Sequence, residues 1–171
     1  MRDRTSRPGV TLVEMLVVMA ILMMLVGVVA VVWKRLDVQA KEKAAKNTLT
    51  LLASALSEYR QEQGAFPVQS VSTTATRGAD QKAARRDLAL KHDQTMMEAL
   101  ESEVASRQVV NMIDRRYVRN QYLPDSNDVI PEVYDPWDTP IDYVYARSDT
   151  VPALRSAGPD GDFGTADDLF P

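Results

Sequence analysis

Four carboxylates fall within nine positions of one short run: Asp160, Asp162, Asp167 and Asp168. Gly161 and Gly164 are interleaved with them, and no basic residue lies among them. Such spacing lets a loop fold back so that side-chain and carbonyl oxygens converge on one point. Ca2+ suits such a set, since it takes about six to eight oxygen ligands at ~2.3–2.6 Å in flexible geometry. Without a cation the four charges repel one another, so a bound metal would order a loop that otherwise frays. The run is not an EF-hand, because Thr165 stands at the sixth loop position and no glutamate closes it.

A second chemical feature lies far upstream. Val10–Trp33 is a largely apolar stretch with one charge, Glu14, and the nineteen positions Met15–Trp33 hold no ionisable side chain. As a helix those positions would span roughly 28 Å, close to the thickness of a bilayer core. A carboxylate at the start of such a segment is costly in lipid, which makes it a functional residue by default. The residues before it, 1–9, are short, polar and basic, with Arg2, Arg4 and Arg7 against Asp3. A secretory signal would have an apolar region of roughly 7–15 residues and a small-residue cleavage site. Here the run is longer, begins with a glutamate and passes straight into Lys34-Arg35. An uncleaved anchor with a cytoplasmic amino end gives the same topology, although Lys34-Arg35 weakens the charge bias.

The elements that must position these groups follow in order. Leu36, Ala40, Ala44, Leu51, Leu52, Ala55, Leu56 and Tyr59 recur at spacings of three and four, predicting an amphipathic helix over 36–63. No proline separates it from the membrane run, so the two form one helix, capped at Gly64 and turned away by Phe66-Pro67. Residues 68–79 are Ser/Thr-rich and read as an exposed loop. Residues 80–120 read as helix in two pieces, with Leu88, Met96, Met97, Leu100, Val104 and 109–113 available to cover a sheet or the long helix. Nine basic and seven acidic side chains between Arg77 and Arg119 read as a solvated face or, second, a subunit contact. His92, without a ligand partner in the sequence, reads as a surface residue. Tyr134–Pro140 (YDPWDTP) is a rigid turn, Ile141–Tyr145 alternates like a half-buried strand, and Thr150–Leu154 is a second strand placed on an edge by Pro152.

Composition narrows the function. The chain has 171 residues, a net charge of −4 and no cysteine. Disulfides, zinc–thiolate sites and thiol nucleophiles are thereby excluded. Residues 1–63 carry nine basic and six acidic side chains, whereas 125–171 carry two and eleven. That distal acidity argues against nucleic acid as a partner, because phosphate binding needs the opposite sign. With no nucleophile–base pair and no metal–histidine cluster in the pattern, the chain reads as a non-enzyme.

The basic leader, Gly9, Val10-Thr11-Leu12-Val13-Glu14 and the apolar helix resemble the class III signal of type IV pilins and type II secretion pseudopilins. The resemblance implies prepilin-peptidase cleavage at Gly9–Val10, N-methylation of Val10, and an assembly role for Glu14. A buried carboxylate in lipid seeks an opposite charge, which the new amino group of a neighbouring subunit can supply. Val10 stands where the family usually has Phe, and Met23 and Val31 where it often has Gly and Pro. Tyr59–Pro67 and Tyr134–Pro140 are similar to major-pseudopilin elements, Asp138 replacing the usual glycine. The acidic run resembles that family's calcium-binding region, which implies Asp160 and Asp167 as side-chain ligands and Asp168 as a further acid of the motif. Ala157 and Thr165 correspond to carbonyl positions, and Asp162 is a lesser candidate.

The expectation is an α+β, type IV pilin-like fold. A leader (1–9), a transmembrane and polymerisation helix (10–35) and its amphipathic half (36–63) precede a periplasmic domain (64–171) with a helical insertion at 68–120. A small antiparallel sheet and a calcium-ordered C-terminal loop complete it. The implied function is a structural subunit in the bacterial inner membrane that polymerises with itself into a pseudopilus. Its implied partners are prepilin peptidase, the inner-membrane assembly platform and minor pseudopilins. A type IV pilin for adhesion, motility or DNA uptake is the alternative. A non-polymerising, single-span anchored binding domain is the alternative of another class.

Overall fold

The computed structural model describes residues 11–68, 81–122 and 129–171, which divide into two compact units at Ala40/Lys41. Gly9, Val10 and, apart from Val68, the loop expected at 68–79 lie outside the described residues. A single helix, α1, runs Leu12–Gln63. Thr11 starts it, its hydroxyl accepting from the Glu14 amide at 3.2 Å, with Glu14 in the first turn as in a capping box. Gly64, in the left-handed region at φ 75°, ends it, its amide donating to the Arg60 carbonyl at 2.8 Å.

In the first unit the apolar side chains of α1 are exposed, among them Leu12, Met15, Ile21, Met24 and Trp33. Leu12–Val29 is long and apolar enough to cross a membrane by length and composition.

In the second unit α1 turns one face inward: Ala45, Thr48, Leu49, Leu52, Ala55 and Leu56 are buried. This stripe differs from the one read in the sequence. Leu36 and Ala40 are exposed, and Ala45, Thr48 and Leu49 take their place at the same three-and-four spacing. A threonine and an alanine carry little hydropathic signal, so the true face begins later than the leucines suggest.

Helix α2, Gln81–Ser102, and helix α3, Val104–Val110, follow. Met96, Met97 and Leu100 of α2 join Leu49, Leu52 and Leu56 in one core with Val110, Ile113, Val133, Ile141, Tyr143 and Leu154. The segment read as a variable insertion thus supplies three fully buried core residues. A 3-10 turn, Arg115–Tyr117, leads into β1, Val118–Tyr122, which pairs antiparallel with β2, Val129–Val133. The helix expected to reach residue 120 therefore stops at Val110. VRNQY has no apolar alternation and gains its strand conformation from pairing with β2 rather than from propensity. Strand β3, Asp142–Val144, pairs antiparallel with β4, Ala153–Arg155, in a second two-stranded sheet. The expected small antiparallel sheet is thus two ribbons, each too narrow to be stable alone. Helix α2 packs against both.

The face of α2 towards the sheets is partly polar. His92, expected at the surface, is buried at 1% exposure, and its Nδ1 lies 2.9 Å from Asp142 Oδ1. The partner that makes burial tolerable is fifty residues away in sequence, where no local pattern reveals it. Asp93 is fully buried, its Oδ2 accepting from the Val133 amide at 2.8 Å, while Oδ1 has no protein partner. Glu132 accepts from Gln94 Nε2 at 2.6 Å and from the Tyr134 hydroxyl at 3.0 Å. Burial raises the Asp93 pKa well above its ordinary 3.8; the Val133 amide opposes this, and Glu132 and Asp142 add to it.

The folded chain then holds a proton on Asp93 at pH values where the unfolded chain has released it. Stability from this group is complete below 3.8 and falls as pH rises towards the folded pKa. Asp93→Asn keeps the acceptor for Val133 and removes the titration. It is expected to stabilise the fold at neutral pH by on the order of 1 kcal/mol and to flatten the decline on that side. Urea midpoints across the pH range check this.

Candidate functional site

Two regions carry the residues singled out in the sequence. At the N-terminal one, Glu14 stands in the first turn of α1 amid exposed apolar side chains.

The second region is built on Asp135, which shapes the Tyr134–Pro140 turn. Its Oδ1 accepts from the amides of Trp137 (3.0 Å) and Thr139 (2.8 Å), and its Oδ2 from the Ser156 hydroxyl (2.7 Å). Desolvation raises its pKa, against those three hydrogen bonds. Asp138 sits at φ 69°, the left-handed conformation that glycine adopts without cost. Its carboxylate meets Arg119 and Arg86, which offset the strain of a side chain there.

Ser156 also pairs with Leu169, each amide donating to the other's carbonyl at 3.0 Å. That bridge closes residues 157–168 into a loop, and within it the carboxylates bond inward. Asp160 Oδ1 accepts from the Asp162 amide (2.8 Å), and Asp167 Oδ2 from the Asp160 amide (3.1 Å). Asp168 Oδ2 accepts from the Gly164 amide (2.8 Å). The Thr165 hydroxyl donates to Asp167 Oδ1 at 2.6 Å and lies 3.2 Å from the Asp162 carbonyl oxygen. The Thr165 hydroxyl, followed by the Asp160 amide, lowers the Asp167 pKa. Ala157 is buried in a small cluster with Ala89 of α2 and Phe163.

Cations from outside the loop complete it. Lys82 Nζ donates to the Asp160 carbonyl. Arg85 donates to Asp162 Oδ1 at 3.2 Å and to the Phe163 carbonyl at 2.9 Å. Arg155 lies 3.7 Å from Asp168 Oδ2 and stacks over the Phe163 ring at 5.1 Å. The sequence reading missed these three because they lie outside the acidic run; their signal was the i, i+3 spacing of Lys82 and Arg85.

The structure therefore brings Asp160, Asp162, Asp167, Asp168 and Thr165 into one loop but does not aim them at one point. Among the described residues no three Asp, Glu, His or Cys side chains form a group that could hold a metal ion. Asp168 Oδ1 is a buried loop oxygen without a protein partner. One orphan oxygen falls far short of the about six that Ca2+ takes, and two carbonyls already receive ammonium or guanidinium donors. The residues present do not fit the metal that the resemblance implies.

An α+β chain with a long apolar N-terminal helix and small antiparallel sheets is consistent with a pilin-like fold. Residues 4–30 match the family model of the prokaryotic N-terminal methylation motif. That match supports a membrane-anchored, type IV pilin-like protein, processed by prepilin peptidase and able to polymerise. No curated protein and no solved structure matches the chain.

The loop's backbone depends on Gly158. It holds φ +65°, and a Cβ there would overlap the Asp167 carbonyl oxygen. Gly164 holds φ +90° with open space around it. Gly158→Ala is expected to destabilise the fold by about 2–3 kcal/mol or more, against about 1–2 kcal/mol for Gly164→Ala, which meets only backbone strain. Urea titration of the full chain in detergent reads the difference.

Proposed function

We propose that this chain is a structural subunit of a type II secretion pseudopilus rather than an enzyme. Prepilin peptidase would cut Gly9–Val10 and methylate Val10, and the subunits would polymerise through their apolar helices to drive protein export. The observation that carries the reading is Glu14: a single carboxylate at the head of an exposed apolar helix, within the matched methylation motif. Lipid or identical helices are the surroundings that suit such a surface, and an opposite charge suits the carboxylate.

Before assembly the helix would hold the subunit in the bacterial inner membrane, amino end cytoplasmic and the second unit periplasmic. The assembly platform of that membrane and minor pseudopilins would be its further partners. Three features of the sequence favour the pseudopilin over an adhesive or motility pilin. Cysteine is absent, the Asp-Pro-Trp element precedes β3, and the C-terminal loop is acidic.

Mass spectrometry of the mature chain is expected to find N-methyl-Val10 at its start. An intact Met1 would instead indicate a non-polymerising anchored domain. Deletion is expected to stop secretion and leave surface pili unchanged, and the reverse would identify a type IV pilin. Glu14→Ala should leave the subunit in the membrane and cut fibre yield by on the order of tenfold or more, since one desolvated charge pair is lost. Sheared-fibre immunoblots measure it.

A further inference from the structure

We infer that the acidic C-terminal loop is closed by cations of this chain, Lys82 and Arg85 of α2 and Arg155 of β4, so that its order does not depend on a divalent metal. This assignment stands apart from the proposed function, because a pilus subunit could close the loop either way.

Four carboxylates in nine residues need positive charge nearby, or their repulsion opens the loop. Lys82 and Arg85 are three apart on α2 and so project from one side of it. Both reach loop carbonyls, of Asp160 and Phe163, and Arg85 also pairs with Asp162. From the other side Arg155 approaches Asp168 and covers Phe163. Two loop carboxylates thus pair with cations, Asp162 with Arg85 and Asp168 with Arg155, Lys82 holds a loop carbonyl, and amides of the loop itself satisfy oxygens of Asp160, Asp167 and Asp168.

A divalent ion placed among these groups would have to displace an ammonium and a guanidinium that already hold the carbonyls. The backbone agrees with a closed loop. Gly161 has Thr139 Oγ1 and Lys82 Nζ within 4 Å of where a Cβ would stand, so turn, helix and loop meet there. Part of this closure is exposed to solvent, with the Arg85 side chain 40% and Asp162 31% accessible. Salt therefore screens it, whereas chelation leaves it intact.

The test uses the full chain in detergent micelles. Thermal midpoints and amide hydrogen exchange are recorded in Ca2+ and in EDTA at one ionic strength. The expected result is the same midpoint and the same protection of the Asp160, Asp162 and Gly164 amides in both. Raising monovalent salt is expected to increase exchange at those amides. The double variant Lys82→Gln/Arg85→Gln is expected to melt about 3–6 °C lower and to exchange faster at the loop than at β3. A calcium-dependent rise in the wild-type midpoint would overturn the inference, as would unchanged loop exchange in the double variant. If the double variant fails to fold, the wild-type comparison of Ca2+ with EDTA still decides the matter.

Discussion

The carboxylate of Asp142 is the interaction on which most of the second unit depends. It is buried in strand β3, with His92 of α2 at one oxygen and Arg155 of β4 at the other, the latter at 2.7 and 2.9 Å. Asp142 and Arg155 are also direct cross-strand partners, so the ion pair fixes the register of the β3–β4 ribbon. Taking such a charge out of water is costly, and removing one partner of a buried pair typically costs about 3–5 kcal/mol. The group is therefore tolerable only when α2, β3 and β4 are all in place. This makes docking of α2 close to all-or-none, which two narrow ribbons require if they are to behave as one folded body.

The same arrangement carries outward to the loop. Arg155 is shared between Asp142, Asp168 and the Phe163 ring, and one turn after Arg85 on α2 comes Ala89, which meets Ala157 and Phe163 beneath the loop. Helix α2 thus serves three layers along its length: cations at the loop, His92 and Asp93 at the strands, and Met96, Met97 and Leu100 in the core. Its buried apolar area supplies most of the stability, since an exposed ion pair contributes only about 0–1 kcal/mol and a buried large side chain about 2 kcal/mol. The polar contacts fix which surface of α2 faces the sheets.

Much of this was legible in the sequence where one residue type has one physical use. Gly64 as a cap, Tyr134–Pro140 as a rigid corner and the strands near 141–145 and 150–154 all follow from local rules. The inward carbonyl of Pro67, accepting from the Tyr143 hydroxyl at 2.8 Å, could not be read that way. Nor could the burial of His92, the strand at Val118–Tyr122 or the inward position of Thr48. Each depends on a partner distant in the chain, and periodicity reports only what a residue does alone. The acidic run shows the limit most sharply. Its charge pattern suggested a divalent metal, and sequence spacing within the run said nothing of Lys82 and Arg85, some eighty positions upstream, which the structure places against it.

Helix α1 answers to two different surroundings. From Ala45 onward its inward face is buried in the core of the second unit. Leu12–Val29, by contrast, presents valine, leucine, isoleucine and methionine on every side. An apolar surface all round has no stable place in water. An amphipathic helix would have sufficed to join a partner on one face. Apolar character on all faces suits the proposed function, in which the segment would pass from lipid to copies of itself at little cost in hydrophobic energy. Within that surface Glu14 is the group whose free energy differs most between the two environments. A neighbouring positive charge lowers it, and hydrocarbon raises it. Under the proposed function, passage from membrane to fibre would turn on this single carboxylate, while the apolar remainder of the segment would be indifferent to the change.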